Sequence, residues 1–520
     1  MSTQTTTIDD DDNKYLPENP WLSCAPILLA VFIYVMDGTI ANVALPHMAG
    51  SFSATRDESM WILTSYLISS GIVIPSVDFF SKLLGRKNFY VISILLFTIA
   101  SFLCGTATSL GQMVFYRILQ GAGGGGIVPL SQAIMMESFP KERRGTAMSI
   151  FGMGVIIAPI VGPMLGGWIT DNWTWPWIFF INVPLGCIAA VMAKNLLFNP
   201  PYAQKQKNVK IDGLGFAFLI VWLCTLQVFF DKGNNADWFN ASWIRWLFTI
   251  SCASAICFFV SQIKRKDSLV DLSVLKNKEF LIGTFIQVIM ASVLYASIAI
   301  LPQFLQSMMG YTAFLSGMSM MPRGLGSLTA TIVCAFLADR VDKRKLVIVG
   351  LFFLGGAGVL FGFLNLQIAQ MNIMIPNCLM GFGLGLAMIP IINLSMETLS
   401  NQQMTNASGI QNLFKNIGGA IGTSLVATFL TRFSQMHQNM MVGKLNELNP
   451  VFIERIQATT GALSQHTSID MASYMAHYVQ YGTLLKQSSL WAFMDTFRIF
   501  GALCFALIPL LFLFKKSKSR

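Results

Sequence analysis

The chain has 520 residues, of which 54% are hydrophobic and only 12% are charged. This composition excludes soluble globular and disordered proteins and predicts a polytopic membrane protein. The formal net charge of +10 does not indicate a nucleic-acid partner, because the basic residues form short clusters between apolar segments and no nucleic-acid-binding motif is present.

About fourteen segments have the roughly 20 mostly apolar residues that a membrane-spanning helix needs. In chain order, we predict spans at residues 23–46, 60–81, 88–109, 112–136, 145–168, 175–198, 213–231, 243–263, 279–304, 312–337, 345–365, 372–396, 406–431 and 489–514. Basic clusters follow spans two, four, six, eight, ten and fourteen, and the short loops on the opposite side hold little positive charge. By the positive-inside rule, both chain termini are expected on the cytoplasmic side.

The loops after spans two and ten, at residues 78–87 and 335–344, resemble each other, and such a repeat predicts two related helix bundles. The expected fold is all-α, with two six-helix bundles plus two inserted helices. The predicted division is a cytoplasmic tail at 1–22, an N-terminal six-helix bundle at 23–198, a linker with two extra transmembrane helices at 199–278, a C-terminal six-helix bundle at 279–514 and a basic cytoplasmic tail at 515–520.

The C-terminal bundle includes a long polar loop at 433–488, which we predict to be periplasmic. A helix-like stretch over 445–456 could dock a partner, although a solvated excursion is an equally good interpretation. The histidines of this loop lack H-x-x-x-H spacing, and the nine cysteines of the chain include no C-x-x-C pair. We therefore expect no metal site.

In span five, small residues recur at every fourth position, so on a helix they share one face. This stripe, almost free of side chains, predicts close contact with another helix. In lipid such a neighbour can also satisfy the backbone groups that proline leaves without a hydrogen-bond partner. A plain packing face, of the kind that any membrane helix can carry, is the alternative. The residues concerned are Gly154, Ala158, Pro159, Gly162, Pro163, Gly166 and Gly167.

Span one contains Asp37 and span four contains Arg117. Charge inside a membrane costs about 2.5–3.5 kcal/mol even on the lenient insertion scale, so each residue requires an explanation. Both lie at similar depth below the outer ends of their spans, and a buried pair is geometrically possible. A carboxylate whose proton affinity depends on burial and on a nearby arginine can couple proton transfer to a conformational change. A fixed structural ion pair is the alternative.

Other polar residues within the spans are candidates for lining a substrate cavity, although hydrogen bonding between helices is their commoner use. The two cations of the second half, Arg323 and Lys415, could bind an anionic group, compensate Asp37 or extend toward an interface. The candidates are Thr39, Asn42, Gln120, Gln132, Arg323, Gln411 and Lys415.

Four segments carry a resemblance to a known family, at residues 36–46, 117–123, 158–167 and 175–186. They resemble the motifs of the major facilitator superfamily and, within it, of the fourteen-span drug:proton antiporters of the EmrB/QacA type. The resemblance covers nearly the whole chain. It implies the major facilitator fold, proton coupling at Asp37 and Arg117, and an antiporter motif in span five, where the family usually has Gly in place of Ala158.

The resemblance also implies gating loops at the two repeated segments. In the first of these the sequence departs from the superfamily, since Asp78 and Lys82 stand where Gly and Asp are usual. EmrB-like members resemble this sequence in lacking that acidic residue, which favours the EmrB-like branch. The gating pair usually assigned to that acidic residue therefore cannot be carried over to the first loop, whereas the second loop retains Asp339 and Arg340. The residues of the two gating loops are Asp78, Lys82, Gly85, Arg86, Asp339 and Arg340.

From this resemblance we expect a proton-driven multidrug exporter of the bacterial inner membrane, which exchanges hydrophobic toxic compounds for protons by alternating access. The implied partners, besides the lipid bilayer, are a periplasmic adaptor (EmrA-like) and an outer-membrane channel (TolC-like). No nucleotide-binding or catalytic motif is present, so we expect no cofactor and no enzymatic activity. The alternatives are a proton-coupled exporter of one defined metabolite with the same fold, such as a siderophore or a fatty acid, and a non-transporting membrane sensor.

Overall fold

The computed structural model describes residues 19–140, 143–197, 199–206, 212–264, 269–337, 341–446 and 448–514. Long helices account for nearly all of these residues, and no strand occurs among them. The predicted all-α membrane architecture is therefore confirmed.

The helices fall into a first half, an inserted pair and a second half. The first half consists of α1 (Pro20–Ser51), α2 (Trp61–Leu84), α3 (Arg86–Gly105), α4 (Leu110–Gly124), α5 (Ile127–Ser138), α6 (Arg144–Asn172) and α7 (Trp177–Leu196). The inserted pair is α8 (Gly213–Gly233) and α9 (Ser242–Lys264). The second half consists of α10 (Lys278–Gln303), α11 (Ala313–Leu337), α12 (Lys343–Phe361), α13 (Gln370–Met396), α14 (Met404–Val442), α15 (Pro450–Leu463) and α16 (Ile469–Ala506).

Within the described residues, 13 helices are long and apolar enough to cross a membrane. The predicted fourth span is instead two shorter helices, α4 and α5, which Gly125 and Gly126 separate. A Cβ atom on Gly125 would lie 2.7 Å from the carbonyl oxygen of Ser70, and one on Gly126 would lie 2.9 Å from Oγ of Ser93. The break therefore occurs where α2 and α3 approach the backbone too closely for a side chain.

Apolar side chains form a core in each half of the molecule. The core of the first half includes the fully buried Tyr90 and Phe97, and the core of the second half includes Phe361. The first core continues into the second half through Ile389 of α13 and Ile410 of α14. The two halves are thus in apolar contact at the predicted cytoplasmic ends of α13 and α14.

The inserted pair contacts both halves. From the first half, Oγ1 of Thr64 on α2 donates a hydrogen bond of 2.8 Å to Oδ2 of Asp231 on α8. From the second half, Oγ of Ser424 on α14 donates one of 2.9 Å to the carbonyl oxygen of Phe230. The outer end of α8 therefore bridges α2 and α14.

The segment 433–488, which we expected to be a polar loop, is largely helical. α14 continues as far as Val442, and α16 begins at Ile469. The helix between them begins at Pro450, so the helix-like stretch expected over 445–456 starts later than the sequence suggested. Polar side chains end a membrane span but do not end a helix, and this is why α14 and α16 extend beyond their apolar parts.

Candidate functional site

The first half holds a fully buried ion pair between α1 and α4. Nη1 of Arg117 lies 2.7 Å from Oδ2 of Asp37, and neither side chain is exposed (0%). Ser109 fixes the start of α4, because its side chain accepts a hydrogen bond from the amide of Gln112. The structure thus brings Asp37 and Arg117 into contact, as their similar depth in the predicted spans had made possible. Their role in proton coupling stays a prediction.

Two side-chain amides complete the surroundings of the carboxylate. Nε2 of Gln120 and Nδ2 of Asn182 each donate a hydrogen bond of 2.9 Å to Oδ1 of Asp37. Gln120 also accepts a hydrogen bond of 2.7 Å from Nη1 of Arg117, so it contacts both ions. One polar network therefore joins α1, α4 and α7, and both carboxylate oxygens take part in it.

Helix α2 supplies two further contacts to the arginine that sequence analysis missed. Nε of Arg117 donates a hydrogen bond of 3.1 Å to the carbonyl oxygen of Ile62. The guanidinium carbon lies 4.1 Å from the centre of the Tyr66 ring, a cation–π contact. A backbone carbonyl acceptor cannot be recognised from the sequence. The spacing of four residues, however, places Ile62 and Tyr66 on one face of α2 and could have indicated that this face contacts the arginine.

The small-residue stripe of α6 packs against α1, the helix that carries Asp37. A Cβ atom on Gly166 would lie 2.7 Å from Cγ1 of Ile40 and 3.2 Å from its carbonyl oxygen. One turn earlier, a Cβ on Gly162 would collide with the hydroxyl of Thr39. The two backbones are therefore in close contact directly beside the ion pair.

The same stripe continues toward the other end of α6. A Cβ on Gly154 would lie 3.1 Å from Cδ2 of Leu28 on α1, and Ala158 is fully buried. The contact with α1 thus runs along most of the motif. The remaining motif residues in α6 are Pro159, Pro163 and Gly167.

A polar contact joins the two halves at their predicted cytoplasmic ends. Nε2 of Gln132 on α5 donates a hydrogen bond of 2.8 Å to Oε1 of Gln411 on α14. Nδ2 of Asn412 donates one of 2.9 Å to Oε1 of Gln132, and Oγ of Ser408 donates one of 2.9 Å to the carbonyl oxygen of Pro129. Gln132 and Gln411 were candidates for a substrate cavity, but in this conformation they bond to each other across the interface.

The other cavity candidates of the first half lie on α1 and α4. Gln120 belongs to the network around the ion pair. Thr39 donates a hydrogen bond of 2.9 Å to the carbonyl oxygen of Met36 on its own helix, and Asn42 is exposed. The structure therefore does not gather these three side chains around one point.

The two cations of the second half have different surroundings. Nε of Arg323 on α11 donates a hydrogen bond of 2.8 Å to Oδ1 of Asn377, and Nη1 donates one of 3.1 Å to Oγ of Ser297. Lys415 on α14 has no hydrogen bond or ion pair within the described part of the chain. Asp37, bonded to Arg117, is the counter-ion of neither.

The loop residues of the first repeat form two separate ion pairs. Nζ of Lys82 lies 2.6 Å from Oδ2 of Asp78, one helical turn away. Arg86 is paired with Glu137 at the end of α5, and both side chains are buried. Between them, Gly85 has φ = 84°, a conformation that favours glycine. The corresponding residues of the second repeat, Asp339 and Arg340, lie outside the described residues.

Known proteins resemble this chain in sequence and in fold. The sequence profile of the Major Facilitator Superfamily matches residues 27–423. The multidrug export protein EmrB of Escherichia coli (strain K12) is 32% identical over 428 residues, which are 81% of this chain and 82% of that protein. The fatty acid resistance protein FarB of Neisseria gonorrhoeae is 32% identical over 416 residues, which are 79% of this chain and 80% of that protein.

Among solved structures, the human organic anion transporter MFSD10 (TETRAN) has a similar fold. The similarity has a TM-score of 0.63 and covers 95% of this chain and 100% of that chain. At 13% sequence identity, it concerns the fold alone.

Breaking the buried pair from one side is expected to destabilise the protein strongly. Arg117→Gln should lower the free energy of unfolding by about 3–5 kcal/mol, because the carboxylate of Asp37 is left buried without its counter-ion. The double variant Asp37→Asn/Arg117→Gln removes both charges and should recover part of this loss. Thermal melting of the purified proteins measures both effects, and a double variant that melts no higher than Arg117→Gln would contradict the expectation.

Adding a single methyl group to a glycine at the contact between α1 and α6 is expected to change the stability of the protein. Gly166→Ala should lower the free energy of unfolding by about 1–3 kcal/mol, because its Cβ overlaps Ile40. Gly167→Ala is the matched control in the same motif, since its Cβ would lie at an ordinary 3.9 Å from Cγ1 of Val43. The control should be neutral or slightly stabilising. Equal melting temperatures for the two variants would show that α1 and α6 do not pack in this way.

Proposed function

Because the chain belongs to the Major Facilitator Superfamily, we propose that it is a proton-driven multidrug exporter, which exchanges hydrophobic toxic compounds for protons by alternating access. The observation that carries this proposal is the buried pair of Asp37 and Arg117 beside the glycine stripe of α6. The similarity to a multidrug export protein over more than four fifths of the chain supports the substrate class.

In this mechanism Asp37 takes up the proton. A neutral carboxyl group attracts Arg117 far less than a carboxylate does, and it accepts fewer hydrogen bonds from Gln120 and Asn182. Arg117 keeps its bond to the carbonyl oxygen of Ile62 on α2. Protonation therefore loosens α1 from α4 and α7 while α4 stays attached to α2.

The glycine stripe lets α1 respond to this loosening. At Gly162 and Gly166 no side chain of α6 stands between the two backbones, so a small shift of α1 meets little steric resistance. Such a shift is passed to the interface between the bundles, where the bonds between Gln132 and Gln411 must open to expose the cytoplasmic side. The pairs of Asp78 with Lys82 and of Arg86 with Glu137 lie at the same end, which supports their proposed role as gating residues.

In this mechanism the segments that move are the predicted domains. The bundles 23–198 and 279–514 rotate against each other, and the linker 199–278 contributes the pair α8 and α9, whose outer end contacts both. The clusters of basic residues on one side of the spans support a topology with both termini in the cytoplasm.

The proposed location is the bacterial inner membrane, with an EmrA-like periplasmic adaptor and a TolC-like outer-membrane channel as partners. Similarity to a multidrug export protein of the bacterium Escherichia coli supports a bacterial membrane. The helical extension formed by the outer ends of α14 and α16 together with α15 offers an adaptor a surface beyond the bilayer.

Export of one defined metabolite, a fatty acid, is the second candidate function. It is favoured by the similarity to a fatty acid resistance protein, which is as high as the similarity to the multidrug exporter. Proton coupling at Asp37 would be the same in both cases, and the two functions differ in how many compounds the cavity accepts.

Substrate-induced proton release from purified protein tests the proposed function. Wild type should release protons when lipophilic cations, uncouplers or fatty acids are added. Asp37→Asn should still bind these compounds but release no protons, because an amide cannot exchange the proton. A wide range of active compounds supports multidrug export, and fatty acids alone support the second function.

A second aspartate provides the matched control for this experiment. Asp231→Asn keeps an acceptor oxygen for Thr64, and Gln227 can turn its side-chain amide to accept from the new NH2 group. The residue lies outside the network of Asp37, so this variant should release protons like wild type. If Asp37→Asn also releases protons like wild type, Asp37 is a structural residue and the proposed coupling site is wrong.

A further inference from the structure

The second half carries a lysine near the middle of a membrane span that has no counter-ion within the described residues. Lys415 lies roughly 16 Å along the axis of α14 from its start at Met404, at 1.5 Å per residue, which is about half of the roughly 30 Å apolar core. It is only partly exposed, and the described residues offer it neither a hydrogen bond nor an ion pair. An intramembrane charge of this kind is costly and indicates a function.

The position of Lys415 on α14 directs it toward the first half. Residues three, four and seven positions apart share one face of a helix, and Asn412, Gln411 and Ser408 stand at these distances before Lys415. All three residues form hydrogen bonds with residues of α5 in the first half. Lys415 therefore lies on the face that meets the first half, one turn beyond the polar contact that closes the interface.

An aromatic side chain lies next to Lys415 along the same helix face. Further along the same face, a Cβ on Gly419 would lie 2.8 Å from the ring of Tyr295 on α10. Tyr295 is itself partly exposed (39%). Gly419 stands one helical turn beyond Lys415, so this aromatic ring lies beside the face of α14 that carries the lysine.

Two other cations within the spans, Arg117 and Arg323, have polar partners. Arg117 is neutralised by Asp37, and Arg323 has no anionic partner within the described residues but donates hydrogen bonds to Asn377 and Ser297. Lys415 has neither kind of partner in the described part of the chain, and an aromatic ring lies beside its helix face. An amphipathic molecule with an acidic head group and an apolar tail matches both features, because its anionic group supplies the missing counter-ion while its tail contacts the ring.

We propose that Lys415 binds the acidic group of the transported compound, so that the protein prefers amphipathic acids to neutral or cationic molecules with the same tail. The acidic group can be a carboxylate or an ionised phenol. This inference rests on the proposed export function and specifies its substrate class.

Three probes with one 12-carbon tail test this inference: dodecanoate, methyl dodecanoate and dodecyltrimethylammonium. Their dissociation constants are measured by calorimetry on the full chain in lipid nanodiscs at about pH 8, where the carboxylate is ionised, with empty nanodiscs as the blank for partition into lipid. Wild type should bind dodecanoate at least about tenfold more tightly than the ester. Lys415→Gln should weaken dodecanoate binding by about ten- to hundredfold, since a charge-assisted hydrogen bond is lost, and should leave the ester nearly unchanged.

Two control variants keep the result interpretable. Lys415→Arg retains the positive charge and should retain tight dodecanoate binding. Lys486→Gln removes an exposed lysine from the outer part of α16 and should bind all three probes like wild type. The inference is overturned if Lys415→Gln binds dodecanoate like wild type, if it loses all three probes equally, or if wild type prefers the trimethylammonium probe.

Proton release with the same probes separates this inference from the proposed function. One outcome is that the trimethylammonium probe releases protons from wild type and from Lys415→Gln alike while dodecanoate releases none. That result would support proton-coupled export and contradict the proposed role of Lys415. If none of the three probes releases protons from wild type although they bind, the proton-coupled export function itself fails.

Discussion

The ionic bond between Asp37 and Arg117 is the interaction on which the first half depends. In a bilayer neither charge can be solvated by water, so each is tolerated only if the protein supplies its partner. The pair fixes α1 against α4, and its hydrogen bonds to Gln120 and Asn182 extend the constraint to α7. A single proton on the carboxylate would alter all of these contacts together, which is what a coupling site requires.

A second constraint acts on the same helix from its other side. Along α6 the glycines leave α1 in contact with backbone and small side chains, so the packing is close but offers few interlocking groups. Strong polar attachment on one side and smooth apolar contact on the other give α1 a defined position without preventing its movement. The ion pair and the glycine stripe therefore contact the same helix, although they are far apart in the sequence.

The two halves share a helical plan but differ in charge. In the first half the intramembrane cation Arg117 has an anionic partner, whereas the intramembrane cations of the second half, Arg323 and Lys415, have none within the described residues. The asymmetry agrees with the proposed roles, in which one bundle would exchange the proton and the other would recognise an anionic group. Helix α8 of the inserted pair contacts both bundles through Asp231 and Phe230.

The sequence by itself determined the class of the molecule, because apolar length and the position of charge are set by the bilayer and need no knowledge of packing. It also placed Asp37 and Arg117 at one depth, since the rise of a helix is constant. Only the tertiary structure decided which helix the stripe of α6 contacts, that Ile62 and Tyr66 complete the arginine site, and that Gln132 bonds to Gln411. These outcomes depend on contacts between segments distant in the chain, on which local periodicity carries no information. The helical extension of α14 to α16 and the break at Gly125 and Gly126 escaped prediction for a related reason: hydropathy reports where a helix leaves lipid and not where its backbone hydrogen bonds end.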